Sequence, residues 1–362
     1  MRRVPNAALV SFRLGGRDGV SIESAKWAAA LGLLGWRVRT VAGAGPVDSK
    51  LDGLAIDAPV APSRSEVDEA LAPFDLVIVE NLCSLPLNPA AAAVVADACA
   101  GRPAVLHHHD LAWQRPQLAH LPPPPDDPAW AHVTINDLSR RQLAARGMAA
   151  TTMYNRFDPD PPAGDRDGLR RALGVAPGTR LLLQPTRALA RKNVAEGLAL
   201  AAAVGGTYWL LGPAEDGYGP ELDRLVEGAA CPVLLGAGGP DGGYGPDGPH
   251  GVDGVAWTID DAYAACDVVL LPSTWEGFGN PALESATHRR PLAIGRYPVA
   301  TELGAFGFRW FDSAVPAPLT AWLDDPDADL VAHNHEIAAR HFNLADLPER
   351  LDGLLGRLMT GR

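Results

Sequence analysis

The chain has 362 residues, 47% of them hydrophobic and 20% charged, with a net charge of −12. That length exceeds one ordinary core and predicts two domains, and the composition excludes an intrinsically disordered chain. The acidic balance speaks against nucleic acid or an anionic membrane as partner, because both need a broad basic face.

From the N-terminus, Met1-Arg2-Arg3-Val4-Pro5 lacks the apolar run of a secretion signal. Strands are predicted at 7–12, 37–42, 76–80, 104–108, 132–136 and 151–155, and helices at 21–34, 89–100 and 137–146, each followed by a glycine that makes a left-handed cap cheap. Alternation of this kind predicts a parallel sheet covered on both faces. The run Asp158 to Asp165, rich in proline and aspartate, reads as a linker. The pattern then restarts: strands at 180–184, 207–211, 233–235, 268–271 and 291–294, with helices at 194–204, 221–227 and 260–266. The glycine-rich stretch 236–254, with Asp241, Asp247 and Asp253, lacks the EF-hand pattern and reads as a mobile surface loop. Helices at 329–342 and 344–359 end the chain.

The expected fold class is therefore α/β, with two Rossmann-like, doubly wound parallel-sheet domains. The domains are placed at 1–158 and 159–335, with the tail 336–362 packing back toward the first. No stretch reaches the ~18 apolar residues of a membrane span. Cys83, Cys99, Cys231 and Cys266 lie far apart without a Cys-x-x-Cys pair. A cytoplasmic protein with reduced, buried thiols follows.

The chemistry concentrates after the 268–271 strand, in Pro272-Ser273-Thr274-Trp275-Glu276-Gly277-Phe278-Gly279-Asn280-Pro281-Ala282-Leu283-Glu284. Asn280 suits a helix N-cap and Pro281 the first helical position. Such a helix points free N–H groups and a positive dipole end at the crevice beyond the strand, where Gly277 and Gly279 let an anion approach the backbone. Glu276 and Glu284 bracket the loop. Carboxylates repel phosphate but accept hydrogen bonds from hydroxyls, so they should hold ribose and sugar. A helix-start glutamate answering the dipole would explain Glu284 alone, not the pair. Lys26, Lys50 and Lys192 are the only lysines. Arg187 and Lys192 flank a loop opening a helix and make a plausible diphosphate clamp, against the plainer reading of a solvated pair.

Glu276…Glu284 with Gly-Phe-Gly between, the Arg187…Lys192 pair and Tyr154-Asn155-Arg156-Phe157-Asp158 together resemble the retaining glycosyltransferases of family 4, which have the GT-B fold with an interdomain cleft. The resemblance runs from Gly15-Gly16 to the stretch 340–344, and the Glu-x7-Glu motif is its most specific element. It implies metal-independent transfer of a hexose from a nucleotide diphosphate sugar to an acceptor hydroxyl, with no cofactor beyond that donor. By this resemblance Glu284 binds the donor ribose and Glu276 the sugar. Arg187 and Lys192 neutralise the leaving diphosphate with backbone amides near Gly277, Phe278, Gly279 and Asn280 and the Gly15-Gly16 loop, a charge-stabilising form of catalysis. The chain departs from the pattern at Arg156, at His288-Arg289-Arg290 and at Arg296-Tyr297-Pro298-Val299, which bear on sugar and acceptor contacts.

In His107-His108-His109-Asp110, strand alternation puts His107 and His109 on one face and His108 on the other. His-Asp-Leu is similar to the family's loop whose histidine touches the donor sugar, which favours His109, with His107 second. Adjacent histidines on a strand cannot all face one ion and no further ligand is evident, so no metal is expected. Acceptor contacts, by family analogy, fall at loops carrying Arg13, Arg17, Asp18, Glu80, Asn81, Trp113 and Arg115, with a small molecule or glycan as acceptor. Rival readings are a nucleotide-sugar epimerase and a non-catalytic nucleotide-sugar-binding protein of the same fold. A GT-A enzyme would need Asp-x-Asp at a strand end, whereas Asp158-Pro159-Asp160 sits in the linker. A dehydrogenase would need the Gly-x-Gly-x-x-Gly fingerprint, absent after the first strand.

Overall fold

The computed structural model describes residues 3–16, 18–236, 250–252 and 255–360. The chain divides into two compact units, Met1–Asn155 with Ala345–Arg362, and Arg156–Leu344. Most of the 236–254 loop lies outside the described residues.

The first unit runs β1 (Asn6–Arg13), α1 (Gly19–Leu33), β2 (Arg37–Ala44), β3 (Ser49–Lys50), α2 (Arg64–Leu71) and β4 (Leu76–Glu80). It continues with α3 (Pro89–Cys99), β5 (Ala104–His108), β6 (Trp130–Thr134), α4 (Asp137–Ala144) and β7 (Ala150–Thr152). The strands form one parallel sheet in the order β3-β2-β1-β4-β5-β6-β7. β4 and β5 are buried at every residue, as strands covered on both faces must be. Val77, Val79 and Leu106 pack there against Leu71 and Val95 of the covering helices. Helix α2 escaped the periodicity because only Val67 and Leu71 face inward. Its start is nonetheless written in a capping box of Ser63 and Glu66. β6 ends at Thr134, earlier than expected, because the Asn136 side chain accepts from Ser139 N–H at 2.6 Å and starts α4.

The second unit runs α5 (Arg166–Ala172), β8 (Leu181–Gln184), α6 (Val194–Ala203), β9 (Thr207–Leu210), α7 (Gly219–Glu227), β10 (Val233–Leu235), β11 (His250–Val252) and β12 (Val255–Trp257). Then come α8 (Ile259–Ala265), β13 (Val268–Leu271), α9 (Asn280–Thr287), β14 (Leu292–Ile294), α10 (Pro298–Gly304), β15 (Phe311–Asp312), α11 (Pro316–Asp324) and α12 (Ala328–His341). Its parallel sheet has the order β10-β9-β8-β13-β14-β15, beside a small antiparallel pair of β11 and β12. The last helix, α13 (Leu347–Thr360), packs against α1 within the first unit.

Both sheets share one topological feature. Chain order reverses between β1 and β4 in the first and between β8 and β13 in the second. Loops leaving the carboxyl ends of two such strands turn to opposite faces and open a crevice, the place where ligands of open α/β sheets sit. No helix among the described residues is long and apolar enough to cross a membrane. All four cysteines are free, and burial raises the Cys99 and Cys266 thiols to about 12.

Candidate functional site

The loops after β8 and β13 are joined by the Thr274 N–H, which donates to the Arg191 carbonyl at 2.9 Å. At their meeting point Glu276 is buried. Its Oε1 accepts from Lys192 Nζ at 2.5 Å and Ser273 Oγ at 2.6 Å, and its Oε2 accepts from Arg191 at 2.9 Å. Lys192 sits on a single 3₁₀ turn, Ala190–Lys192, whose last carbonyl is gripped by the Gln184 amide at 3.0 Å. Gln184 in turn accepts from the Tyr208 hydroxyl at 2.8 Å, so the lysine is held by buried side chains of β8 and β9.

The electrostatics follow from burial. Burial lowers the Lys192 ammonium below its ordinary value against the pull of Glu276, and the nearby Arg191 and Arg187 charges lower it further. Burial alone would raise the Glu276 carboxyl, but Lys192 and Arg191 outweigh it and keep the group a carboxylate. Arg187 stands at the rim, paired with Glu215 and one-third exposed. Among the described residues, Lys192, Arg191 and Arg187 pair with Glu276 and Glu215 alone, which leaves one positive charge of the cluster uncompensated there. Arg191 and Ser273 were not picked out in the sequence. The adjacency of Arg191 to Lys192 and the three-residue spacing of Ser273 to Glu276 were the available signals.

Helix α9 begins at Asn280, with Gly279 rather than Asn280 as its N-cap and Pro281 in its first turn. Gly279 holds φ +91, and a Cβ there would lie 2.4 Å from the Tyr297 hydroxyl. That hydroxyl is buried without a hydrogen-bond partner among the described residues. Gly277 and Asn280 are partly buried on either side of this turn. The Phe278 ring instead turns inward, stacked 6.2 Å from Phe157 and edge-on to Phe342 at 6.3 Å. Glu284 accepts from the Tyr263 hydroxyl at 2.5 Å. The unusual His288-Arg289-Arg290 segment supports that tyrosine. His288 stacks on its ring at 4.4 Å, and Arg290 donates to its carbonyl at 2.8 Å. Nothing in the sequence linked Tyr263 to Glu284.

At the corresponding place in the first unit, Gly15 takes φ +78 against Pro46, and Gly16 precedes α1. Asp18 caps α1, accepting from Val20 N–H and Ser21 N–H, and pairs with the half-exposed Arg13 at 3.4 Å. Glu80, the last residue of β4, faces His107 across the strand pair in direct register. Its Oε2 accepts from His107 Nδ1 at 2.9 Å and from His109 Nε2 at 2.8 Å. Trp27 of α1 stacks on His107 at 4.1 Å. Asn81 adopts φ 61, and its Oδ1 accepts from the His109 and Asp110 N–H groups at 3.1 and 3.0 Å. These contacts fix the loop that carries His109.

The sequence offered no ligand partner for the histidines, but Glu80 brings a carboxylate to the same face. The three side chains place ligand atoms within 4.8 Å of one another, the metal-capable group found among the described residues. His108 points to the opposite face, into a chain from Ser84 Oγ through its own ring to His132 and Asp126. Trp113 belongs to a satellite apolar cluster with Leu111, Leu143 and Met148, its ring covered by Arg146 at 3.8 Å. Arg115 pairs with Asp110 at 2.9 Å.

No protein-family model matches the chain. Among curated proteins it is similar to the mannosylglucosylglycerate synthase of Thermotoga maritima, 26% identical over 97% of this chain and 98% of that protein. Among solved structures, the HepE protein of Anabaena, in complex with UDP-glucose, superposes with a TM-score of 0.73 at 19% identity, covering 97% of this chain and 99% of that one. The sucrose-phosphate synthase of Thermosynechococcus elongatus does so with a TM-score of 0.70 at 14% identity, covering 99% and 100%. With its two parallel sheets of seven and six strands, the chain has the GT-B architecture of nucleotide-sugar glycosyltransferases.

Proposed function

We propose that the protein is a retaining, metal-independent glycosyltransferase that moves a hexose from a nucleotide diphosphate sugar to an acceptor hydroxyl. The observation that carries this reading is the cationic cluster of Lys192, Arg191 and Arg187 at the switch point of the second sheet, beside the loop that opens α9. In this reading the diphosphate lies on the N–H groups at the start of α9. The uncompensated charge of the cluster then stabilises the negative charge that grows on the departing phosphate. Lys192 is positioned before substrate arrives, so little reorganisation is needed as that charge develops.

Glu284, beyond the first turn, takes the ribose hydroxyls, exchanging the Tyr263 hydroxyl for ligand or sharing it. Glu276 accepts from sugar hydroxyls while keeping Lys192 in place. Within the first unit, His109 is the side chain read as a substrate contact. The acceptor is a small molecule or a glycan, and the similarity to a mannosylglucosylglycerate synthase makes a glycosylglycerate the first acceptor to try.

The test is thermal-shift screening against UDP-, GDP- and dTDP-sugars, followed by nucleotide release with and without acceptor, in the presence and absence of EDTA. Binding of one nucleotide sugar raises the melting temperature, and acceptor-dependent release resistant to EDTA is expected. Release of no nucleotide with any acceptor, despite donor binding, would leave a binding protein or an epimerase. Loss of transfer in EDTA would remove metal independence.

A further inference from the structure

The Glu80 cluster combines three features that packing alone does not require. One carboxylate oxygen, Oε2, takes both imidazoles, while Oε1 of Glu80 and Nε2 of His107 are buried with no hydrogen-bond partner among the described residues. Buried polar atoms left unmatched cost stability, so packing stability alone does not account for the arrangement. His107 is sealed beneath Trp27, whereas His109 keeps a small exposed edge. Among the described residues Nδ1 of His109 has no partner, so it is the free end of the cluster.

We infer that Glu80 is a positioning residue: it grips Nε2–H of His109, fixes the ring, and holds it as an imidazolium whose Nδ1–H is offered to an oxygen of the substrate. The inference rests on the reading of His109 as a substrate-facing group in the proposed function. The ligand chemistry it fits is a sugar hydroxyl or a phosphoryl oxygen.

One carboxylate can neutralise one imidazolium in a dry pocket, and a second would leave a buried net charge. The rings of His107 and His109 are 4.4 Å apart, so the two compete for that single role. Burial pulls His107 down and leaves it neutral. Burial also opposes the charged form of His109, but the Glu80 bond and charge outweigh it and raise that ring above its ordinary value. The other charged groups near the pair are Glu23 of α1, itself bound to Lys26 at 3.1 Å, and Asp110, bound to Arg115.

A metal ion fits the distances less well. Ligands bonded to one ion at about 2.0 Å in a tetrahedron stand roughly 3.3 Å apart, whereas both nitrogens lie under 3 Å from Oε2, at hydrogen-bond distance with the proton between.

The experiment is a histidine-ring NMR titration of the full chain, wild type and Glu80→Gln, with a His109→Gln variant to assign the resonance. In wild type His109 should titrate above the ordinary histidine value. In E80Q it should titrate lower than in wild type, because the Glu80 bond and charge that raise it are gone. Turnover should follow: the activity of E80Q should match wild type most closely at acid pH and fall about ten-fold or more below it as pH rises, with Glu80→Asp restoring part of the difference. A His109 that titrates below the ordinary value in wild type would overturn the inference even if E80Q failed to fold. So would an unshifted titration in E80Q, or one tightly bound metal ion per chain that E80Q loses. A wild-type chain that transfers no sugar would instead remove the proposed function and leave the titration result standing.

Discussion

The ammonium of Lys192 lies 2.5 Å from Oε1 of Glu276, and the two residues are 84 positions apart in the chain. Each keeps the other charged where neither would be stable alone. Replacing Lys192 with Ala should therefore act twice. Removing one partner of a buried ion pair costs about 3–5 kcal/mol of stability, and under the proposed role of Lys192 in stabilising the leaving group kcat should fall by roughly 10²-fold or more. Urea unfolding and steady-state kinetics check both, and a variant with wild-type turnover removes Lys192 from the mechanism.

Glu284 should matter for binding rather than for the fold. A hydrogen bond to a charged group is worth about 1.5–3 kcal/mol, so Glu284→Ala should weaken nucleotide-sugar affinity roughly ten- to a hundred-fold. Calorimetric titration measures it. Tyr263→Phe, which removes only the hydroxyl that Glu284 accepts, should leave nucleotide-sugar affinity largely in place if Glu284 takes the ribose as proposed.

Gly279 and Tyr297 form a second coupled pair. Gly279→Ala places a Cβ 2.4 Å from the tyrosine hydroxyl and adds a side chain at φ +91. The backbone part alone costs about 1–2 kcal/mol. Tyr297→Phe removes an unpartnered buried hydroxyl and should be neutral or slightly stabilising. The double variant should recover the steric part of the loss but not the backbone part, which melting temperatures of the four proteins would show. Additive losses would mean that the two residues do not touch in solution.

Asn81 separates backbone strain from hydrogen bonding in the same way. It holds φ 61 and accepts from two N–H groups of the His109 loop. Asn81→Gly keeps the conformation and loses the bonds, while Asn81→Ala loses both. The alanine variant should be less stable than the glycine one by about 1 kcal/mol, and both should lower turnover if His109 faces substrate.

Acid should expose the worth of Glu80. Burial raises its pKa, but the two histidines outweigh burial and hold it at about 2. A carboxylate depressed on folding contributes stability that is complete above its ordinary value and disappears as pH falls toward the folded one. His109, raised on folding, contributes below its ordinary value and loses that contribution as pH rises through the folded one. The stability difference between wild type and E80Q should thus shrink from about pH 5 down to pH 2. Urea midpoints at stepped pH test it, and a constant difference would deny the depressed pKa.

The α/β alternation and both parallel sheets were legible in the sequence because strands such as Leu76–Glu80 and Val268–Leu271 are buried on two faces and leave continuous apolar runs. The loop before α9 was legible for a similar reason, since glycines and a proline at fixed offsets have local backbone consequences. Local chemistry misplaced the cap by one residue, because Gly279 takes the cap position at φ +91, where Tyr297, arriving from elsewhere in the chain, leaves no room for a Cβ. What only tertiary structure decided is which charges meet. Lys192 chooses Glu276, Arg187 turns to Glu215, and Glu80 lines up with His107 through strand register. Periodicity reports which face a side chain takes, but electrostatic partnership depends on distances across separate strands, and these exist only once the sheets have formed.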